Sequence, residues 1–430
     1  MSEAKAKKKK LSIPVKLAIA LVLGVVAGLI FKEKASYVAF IGTLFIRLLK
    51  MCVYPLVLFS IIAGIANVAD IVKLKKIGGQ FLLYTFLSSA IAGVLGCLAI
   101  TISGAGKGLV LQETVDSSVE QVNMVESVVE WVPDNVFAAL SNGTLVQIIV
   151  FAIFFGIMIT QMRKNSNAVD LVAMVVEGCN IIMQRMVEVI MTVAPYGVFC
   201  LIANLVGTTG VQNLKEIFSL VLTMWGGSLV HMLVFLPLLL RFFGRVNPIK
   251  FFKNIISVIL MAFSTQSSAA TLPVTMEVSK EKNGVPDDVV NLCAAPAATI
   301  NMDGAAIEYT VYTLFAAHAF GVHFTVWQLI FMVVMCVVCS AGAAGVPGGG
   351  IVMCSICLAT MGLPNEEVTA MVAGVYVLLD IASTTLNVTG DCCGCASPTA
   401  WVCWTRKSST PDIYPLTIEA TPHAAAPESA

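Results

Sequence analysis

Four short polar segments interrupt an otherwise apolar sequence: SSAATLP (267–273), NMDGAA (301–306), GVPGGG (345–350) and DIASTTLNVTGD (380–391). The first and third are rich in serine or glycine, and each is followed, roughly 33 to 40 residues later, by a segment that contains Asn and Asp. Corresponding interruptions in two halves of an apolar chain indicate a binding site near the middle of a bilayer. This weak internal repeat predicts an all-α membrane protein that is built from inverted repeats.

The composition also indicates a membrane protein. Of the 430 residues, 58% are hydrophobic and 12% are charged, and this charged fraction is about half that of a soluble domain. Several apolar runs exceed the roughly 18 residues that suggest a membrane span. A soluble enzyme of this composition would lack the polar surface that keeps it dissolved. The formal net charge of zero gives no case for nucleic acid binding.

The apolar runs and the polar segments predict eight transmembrane helices and two re-entrant helical hairpins. The hairpin tips are expected near residues 267–271 and 345–350. The eight spans are expected at residues 11–31, 38–69, 81–103, 144–162, 168–194, 217–243, 288–320 and 366–404. The fifth span is expected to end at Ala194-Pro195.

Basic residues predict the orientation. Five of the first ten residues are lysine, and most other lysines and arginines fall in segments on the same side as this N-terminus, as the positive-inside rule requires. We therefore expect a multi-pass protein of the plasma (inner) membrane with both termini in the cytoplasm. Residues 105–143 are expected to form an acidic extracellular loop. Residues 405–430, rich in Pro, Ala and Ser, are expected to form a disordered cytoplasmic tail.

The segment GVPGGG leaves two interpretations open. Three consecutive glycines after a proline cannot continue an apolar helix, so the backbone unwinds there and its amides and carbonyls need partners. A bound ion or zwitterion would supply them. By itself, however, the segment is also typical of a plain extracellular turn between two spans.

Asn301 and Asp303 place an amide and a carboxylate inside the seventh apolar span. An ionisable residue inside a membrane span is a functional-site hypothesis by default, and no lysine or arginine of spans 7 and 8 is available to pair with it. Carboxylate, amide and carbonyl oxygens suit a hard metal cation. Thr85, Ser88 and Ser89 of the third span could add hydroxyl oxygens, although such residues are also common in ordinary helix packing.

The last polar segment forms a stripe along a helix. With about 100° per residue, Asp380, Thr384, Asn387 and Asp391 fall within about 60° of one another, and Ser383 lies at the edge of the stripe. Such a stripe can hold an ammonium group, a carboxylate and a cation. It remains open whether the cation is sodium or a proton, because carboxylates serve both.

The thirteen cysteines lie mostly in apolar segments, where cysteine behaves as a small hydrophobic residue. Cys336/Cys339 and Cys354/Cys357 have CxxC spacing. The denser group at Cys392, Cys393 and Cys395 could bind a soft metal. We favour close helix packing over a redox or metal site for all of them.

These motifs resemble those of the glutamate transporter family, the dicarboxylate/amino acid:cation symporters, which also include neutral amino acid exchangers. The similarity runs from about Pro55 to Asp391 and is carried by SSAATLP, NMDG, GVPGGG and NVTGD in that order. The resemblance implies a homotrimer in which a mobile transport domain moves as an elevator against a scaffold. The scaffold would comprise residues 11–80 and 144–210, and the transport domain residues 81–104 and 211–404.

The resemblance also implies roles for individual residues. Asp380, assisted by Thr384, would bind an α-amino group, and Asn387 with Ser268 would hold an α-carboxylate. The implied substrate-binding set is Gln266, Ser267, Ser268, Ala305, Val346, Gly350, Asp380, Ser383, Thr384 and Asn387. The implied sodium ligands, some of them through backbone carbonyls, are Thr85, Ser88, Ser89, Ala297, Thr299, Asn301, Asp303, Ser340, Ala341, Ala343, Asn387 and Asp391.

Several positions depart from the acidic amino acid members of this family. Ser383 stands where those members have an arginine for the substrate's side-chain carboxylate, and Ala305 stands where they commonly have threonine. Gln266 and Ile381 stand where a further arginine is usual, and Tyr376 where an aspartate often sits. A second buried carboxylate without a cationic partner would lose several kcal/mol of solvation.

We therefore expect a sodium-coupled transporter, either a symporter or an exchanger, of small neutral amino acids such as serine, alanine, threonine or cysteine. The alternative is a symporter of acidic amino acids or C4-dicarboxylates that is coupled to sodium or protons. A cysteine-based membrane metal sensor or enzyme is a further alternative, but none of the four histidines lies in the polar segments. A channel is disfavoured because two closing tips suggest alternating access.

Overall fold

The computed structural model describes residues 13–66, 77–109, 129–163, 165–209, 212–342, 349–363 and 366–398, and these residues form helices and short connections only. The first helices are α1 (Ile13–Phe31), α2 (Ala39–Ala66), α3 (Gly79–Ser103), α4 (Val136–Asn142), α5 (Leu145–Met162) and α6 (Asn167–Thr209). They are followed by α7 (Gln212–Val230), α8 (Leu236–Leu239), α9 (Pro248–Asn254), α10 (Ile256–Thr265), α11 (Ser268–Glu281) and α12 (Asp287–Ile300). The last are α13 (Asp303–Ala319), α14 (Val326–Ala341), α15 (Gly349–Thr360), α16 (Glu366–Ala373) and α17 (Tyr376–Ala396).

The all-α prediction is confirmed for these residues, and the apolar helices fit a multi-pass membrane protein. Four helical stretches of the described chain are long and apolar enough to cross a membrane: Val15–Ala66, Gly79–Ser103, Asn167–Thr208 and Asn213–Gly244. A fifth is formed by α9 and α10 if this pair, bent by 51°, counts as one span. The predicted total of eight spans therefore remains a prediction. The predicted basic N-terminus, residues 110–128 of the acidic loop and the C-terminal tail lie outside the described residues.

One group of helices is organised around α6, which packs against α1 and α2, while α5 packs mainly on α2. Glycines allow the closest approach. A Cβ atom on Gly24 or Gly28 would lie 2.9 or 2.7 Å from a backbone carbonyl oxygen of α6. Small residues at such crossings let helices gain contact without a hydrophobic driving force between them.

The predicted end of the fifth span at Pro195 is wrong. Helix α6 runs through this proline to Thr209. A proline removes one backbone donor and clashes with the preceding turn, but membrane helices tolerate this because neighbouring helices satisfy the freed groups. Close packing of α1 and α2 on the part of α6 that follows Pro195, for example of Gly24 against Phe199, accounts for the continuous helix.

A second group of helices surrounds α13 and α17. Helix α3 packs along α13, and α17 contacts α10, α11, α12 and α13. Two pairs of consecutive helices pack against each other in this group: α10 with α11, which are separated by a turn at Gln266-Ser267, and α14 with α15. The tip of the second pair, residues 343–348, lies outside the described residues.

The predicted seventh and eighth spans are not continuous helices. The chain leaves helical geometry at Asn301-Met302, between α12 and α13, and again at Gly374-Val375, between α16 and α17. Residues 399–404 of the predicted eighth span lie outside the described residues. The first break is possible because a side chain on α17, described below, accepts hydrogen bonds from the first backbone amides of α13, which have no partner within the helix.

Candidate functional site

The polar stripe predicted for the last span lies on α17, and its side chains are buried. Thr384 Oγ1 donates a hydrogen bond of 3.3 Å to Asp380 Oδ1, one helical turn earlier. Asp380 retains 7% exposure, whereas Asp303 on the facing helix has none. The stripe therefore reaches from a slightly exposed position at Asp380 to Asp391, which is 2% exposed.

Asn387 joins the stripe to the helix break. Its Oδ1 accepts hydrogen bonds from the backbone amides of Gly304, at 2.7 Å, and Ala305, at 3.3 Å. These are first-turn amides of α13, which have no partner within the helix. The oxygen that was predicted to serve a sodium ion is thus engaged by two donors, while the side-chain NH2 group is the part that can donate to a carboxylate.

Gly304 explains why α13 can begin so close to α17. A Cβ atom at this position would collide with the backbone carbonyl of Ser383. The glycine after Asp303 therefore lets two backbones touch at the middle of the stripe. It holds Ala305 and Ser383, two predicted substrate-binding residues, on adjoining helices.

Asp303 is the centre of a completely buried polar cluster. Ser88 Oγ donates to its Oδ2 at 2.6 Å and Ser89 Oγ donates to its Oδ1 at 2.8 Å. His231 Nε2 lies 3.3 Å from both Asp303 Oδ2 and Ser88 Oγ. Thr85 is buried on the same helix as the serines, but its hydroxyl has no hydrogen-bond partner among the described residues. The predicted association of Asp303 with two hydroxyls of the third span is present.

Sequence reasoning missed His231. This histidine opens a π-helical turn, His231–Phe235, that directly follows α7. Single π-helical turns inside helices are frequent at functional sites. A buried histidine in an apolar span was the available signal, but nothing in the sequence placed it opposite a residue 72 positions away.

A second cluster joins Asn301 and Asp391. Asn301 Nδ2 donates to Asp391 Oδ1 at 3.2 Å, and both side chains are buried. Gly390 lies between the two clusters, since a Cβ there would be 2.5 Å from Asn301 Nδ2 and 3.0 Å from Asp303 Oδ2. The two carboxylates therefore belong to one polar region.

This region fits a hard cation. Asn301 Oδ1 and Thr85 Oγ1 are buried acceptors without partners in the described chain. Within that chain, neither Asp303 nor Asp391 forms an ion pair with a lysine or an arginine. Buried carboxylates require a counter-charge, and oxygen donors of this kind suit sodium better than a soft metal.

The other predicted sodium ligands are more scattered. The Ala297 carbonyl accepts the backbone amide of Asn301 at 2.9 Å, so it completes the last turn of α12. Thr299 and Ala341 border the same apolar cavity of about 480 Å³, which lies between α2, α3, α5, α12 and α14. Ser340 is buried beside Ala341, and its hydroxyl donates to the carbonyl of Val337 at 2.9 Å. Ala343 lies outside the described residues.

The tip of the first helix pair uses its polar groups for its own geometry. Gln266 has a left-handed backbone conformation, with φ of 53°, and ends α10. Ser267 Oγ accepts the amide of Ala270 at 3.2 Å and so caps α11. Ser268 is buried at the start of that helix. Both helices pack on α17, the helix that carries the stripe.

Glu308, which sequence reasoning also missed, lies behind the stripe. The hydroxyls of Ser383 and Tyr376 lie next to its carboxyl group, and Cys354 Sγ lies 3.9 Å from its Oε1. Glu308 is 2% exposed. A carboxylate inside a predicted membrane span was sufficient reason to single it out.

Gly350 occupies the first turn of α15 against this carboxyl group. A Cβ at Gly350 would collide with the Tyr376 hydroxyl and lie 3.1 Å from Glu308 Oε1. The structure thus places Gly350 against Glu308 and Tyr376, and the substrate-binding role of Gly350 and Ser383 stays a prediction. Val346 lies outside the described residues.

The cysteine pairs meet across the second helix pair, where Cys336 Sγ lies 4.0 Å from Cys357 Sγ. Cys392, Cys393 and Cys395 are buried on α17. No group of three or more His, Cys, Asp or Glu side chains in the described part of the chain could hold a metal ion. The soft-metal alternative therefore has no ligand set there.

Comparison with known proteins supplies a family. The family model described as "Sodium:dicarboxylate symporter family" matches residues 13–401. The chain is 33% identical to a proton/sodium-glutamate symport protein of Bacillus caldotenax over 396 residues, 89% of this chain and 93% of that protein. It is 31% identical to a proton/glutamate-aspartate symporter of Bacillus subtilis (strain 168) over 404 residues, 91% of this chain and 95% of that protein. A C4-dicarboxylate transport protein of the same strain is 26% identical over 391 residues, 88% of this chain and 91% of that protein.

These relatives contradict the prediction of a small neutral amino acid, because their names specify glutamate, aspartate or C4-dicarboxylates. The prediction was wrong because it inferred a neutral substrate from the absence of an arginine at position 383. An arginine is only one way to offset a buried carboxylate, and a proton is another. The predicted family is confirmed.

Proposed function

The chain belongs to the sodium:dicarboxylate symporter family, and we propose that it is a membrane symporter of acidic amino acids or C4-dicarboxylates, coupled to sodium or protons. The observation that carries this proposal is the buried pairing of two polar helices, α13 and α17, through Asn387 and the amides of Gly304 and Ala305. It holds donors and carboxylates at fixed positions around one small region.

In this proposal, α17 binds the parts that the substrates share. Asp380, with Thr384 beside it, accepts the α-ammonium group of an amino acid. The side-chain NH2 group of Asn387 donates to the α-carboxylate, because its oxygen is already engaged. Ser268 and the two helix tips complete the enclosure. The packing of α10 and α11 on α17 supports this arrangement.

The coupling cation binds deeper, among Asp303, Asn301 and Asp391. Its charge offsets the two carboxylates, and the unpartnered Asn301 and Thr85 oxygens are available as additional ligands. When a sodium ion is bound, it supplies the positive charge that otherwise has to come from protons. Backbone carbonyls of Thr299, Ser340 and Ala341 would contribute to a further ion.

The distal carboxylate of the substrate meets Ser383 and, behind it, Glu308. Two carboxylates cannot share such a site without a counter-charge. A single proton between them removes one charge and supplies a hydrogen bond. This arrangement gives proton coupling a physical reason in a chain without an arginine at position 383.

The assembly follows the family resemblance. We propose a homotrimer in the plasma (inner) membrane, with both termini cytoplasmic, in which re-entrant hairpins close over the substrate. The scaffold comprises residues 11–80 and 144–210, and residues 81–104 and 211–404 move against it as an elevator. The described helices pack in one group around α6 and another around α13 and α17, which supports the proposed separation into a scaffold and a transport domain.

Uptake into proteoliposomes tests the proposed function. Labelled aspartate, glutamate and succinate are compared with serine, under an inward sodium gradient, an inward proton gradient, or neither. We expect at least one acidic substrate to accumulate only with a cation gradient. Serine uptake above that of all three acids, or uptake that is indifferent to both gradients, would overturn the proposal.

A further inference from the structure

Glu308 has no role among the predicted binding residues, yet it is in contact with the distal end of the candidate substrate site. It lies five positions after Asp303 on α13, and the hydroxyls of Ser383 and Tyr376 on α17 lie next to its carboxyl group. The third neighbour is Cys354 of α15, whose sulfur lies 3.9 Å from Glu308 Oε1. Three helices therefore converge on one buried carboxyl group.

The position of this carboxyl group is tightly defined. Gly350 packs so closely that an added Cβ would be 3.1 Å from Glu308 Oε1 and would collide with the Tyr376 hydroxyl. Tyr376 is itself buried, with 4% exposure, which limits the room its side chain has to move away. Because these neighbours limit its movement, the Glu308 carboxyl group has a fixed position next to Ser383.

The titratable groups around the Glu308 carboxyl group in the described chain can only be neutral or negatively charged. The titratable groups that face or neighbour it are Tyr376 and Asp380 of α17, Cys354 and Cys357 of α15, and Tyr309 and Tyr312 of α13. None of them is a cation. A substrate group that reaches Ser383 thus meets a hydrogen-bonding carboxyl group where an arginine would otherwise supply positive charge.

We propose that Glu308 is the specificity-determining residue for the distal end of the substrate. Its carboxyl group, behind Ser383, receives the distal carboxyl group of the substrate through a shared proton, and its reach sets the permitted length of the substrate side chain. This inference rests on the proposed function. It goes further by assigning the choice between aspartate and glutamate to one residue.

The consequence for side-chain length is direct. Glu308→Asp withdraws the carboxyl group by one methylene and leaves room for one more methylene in the substrate. Glutamate exceeds aspartate by that same group. A single methylene in a binding pocket changes kcat/KM by about tenfold or more. The variant should therefore shift the glutamate-to-aspartate ratio of kcat/KM toward glutamate by about tenfold.

The consequence for the terminal group is tested by Glu308→Gln. An amide has nearly the shape of a carboxylic acid and can donate a hydrogen bond without a proton from solution. The variant should keep uptake of the preferred acid, and its uptake should vary less with pH between 5 and 8 than that of the wild type.

The experiment measures initial rates of aspartate and glutamate uptake in proteoliposomes for the wild type, Glu308→Asp, Glu308→Gln and Glu216→Asp. Glu216→Asp makes the same chemical change at α7, where Glu216 accepts the amide of Gly106 at 2.9 Å and does not touch the site. It should leave the substrate ratio unchanged. Thermal unfolding of each purified protein and calorimetric binding of both acids show whether a variant is folded.

The outcomes separate the two proposals. If the wild type carries none of aspartate, glutamate and succinate, the proposed function fails and this inference fails with it. If it carries succinate alone, only this inference is overturned. If the wild type carries an acid but Glu308→Asp is folded with an unchanged ratio, only this inference is overturned. Loss of acid binding in a folded Glu308→Gln also overturns it. So does a preference of the wild type for cystine, because the distal ammonium group of cystine would pair with an ionised Glu308.

Discussion

His231 Nε2 lies 3.3 Å from Asp303 Oδ2, and both side chains are completely buried. The imidazole approaches the carboxylate beside Ser88, which donates to the same oxygen at 2.6 Å. The aspartate thus has neutral donors on both oxygens, while the second carboxylate of the region, Asp391, has an amide donor from Asn301. Hydrogen bonds hold both groups in position, and a cation would supply the charge.

Asp303→Asn tests the cation site. The amide keeps the size of the side chain but removes its charge, so Ser88 and Ser89 lose a charged acceptor that makes hydrogen bonds about twice as strong as a neutral one. We expect the sodium concentration for half-maximal uptake to rise at least tenfold, which corresponds to about 1.4 kcal/mol of binding. Uptake in a sodium titration measures it. Asp170→Asn, which alters a half-exposed ion pair with Arg163, should leave the value unchanged. An equal shift in both variants would contradict the assignment.

Asp380→Ala separates the two substrate classes. An amino acid needs a partner for its α-ammonium group, whereas a C4-dicarboxylate has no such group. We expect the variant to lose aspartate and glutamate uptake by at least a hundredfold, since truncating a buried charge partner costs about 2–5 kcal/mol, and to retain any succinate uptake. Competition of labelled succinate by unlabelled aspartate provides the measurement. Aspartate that still competes as well as in the wild type would show that Asp380 is not the ammonium partner.

Gly350→Ala should disturb the contact between α15 and α17. The new methyl group would collide with the hydroxyl of Tyr376, whose side chain is buried. Overpacking of this kind costs about 1–3 kcal/mol, so we expect a lower unfolding temperature and reduced uptake. Tyr376→Phe in the same chain removes the colliding oxygen and should restore part of both.

Gly226→Ala is the matched control for that pair of variants. Gly226 lies within α7, and nothing in the described structure lies within 4 Å of a Cβ built there. Alanine also favours a helix over glycine by about 1 kcal/mol. Its unfolding temperature should equal or exceed that of the wild type. A drop as large as that of Gly350→Ala would show that position 350 is not specifically crowded.

Asn387→Ala should uncouple α13 from α17. It leaves the buried amides of Gly304 and Ala305 without their acceptor, and unsatisfied buried groups cost about 1–3 kcal/mol each. We expect a clear loss of thermal stability together with loss of substrate binding. Asn247→Ala removes a comparable cap from the start of α9 at a more exposed position and should cost about 1 kcal/mol. Equal unfolding temperatures for the two variants would contradict the expectation that the buried position of Asn387 makes its loss more destabilising.

Much of the fold followed from local patterns in the sequence. Apolar runs predicted helices because a membrane forces the backbone to satisfy its own hydrogen bonds. The stripe of Asp380, Thr384 and Asn387 could be predicted because helical periodicity alone places these residues on one face of a helix. The helix also breaks at the serine segment, because Ser267 is a good helix cap and Gln266 takes the left-handed conformation that ends a helix. The re-entrant hairpin expected there stays a prediction. Pro195 failed as a boundary because packing outweighed the local preference of proline.

The sequence by itself determined a helical membrane protein of this family, with carboxylates and amides concentrated in two helices. Only the tertiary structure decided which groups meet. It placed His231 on Asp303, engaged the Asn387 oxygen with the amides of α13, and set Glu308 beneath Ser383. These contacts join residues that are 72 to 83 positions apart. Helical periodicity places residues on a common face of one helix, whereas partners on other helices depend on how those helices pack, which no local pattern encodes.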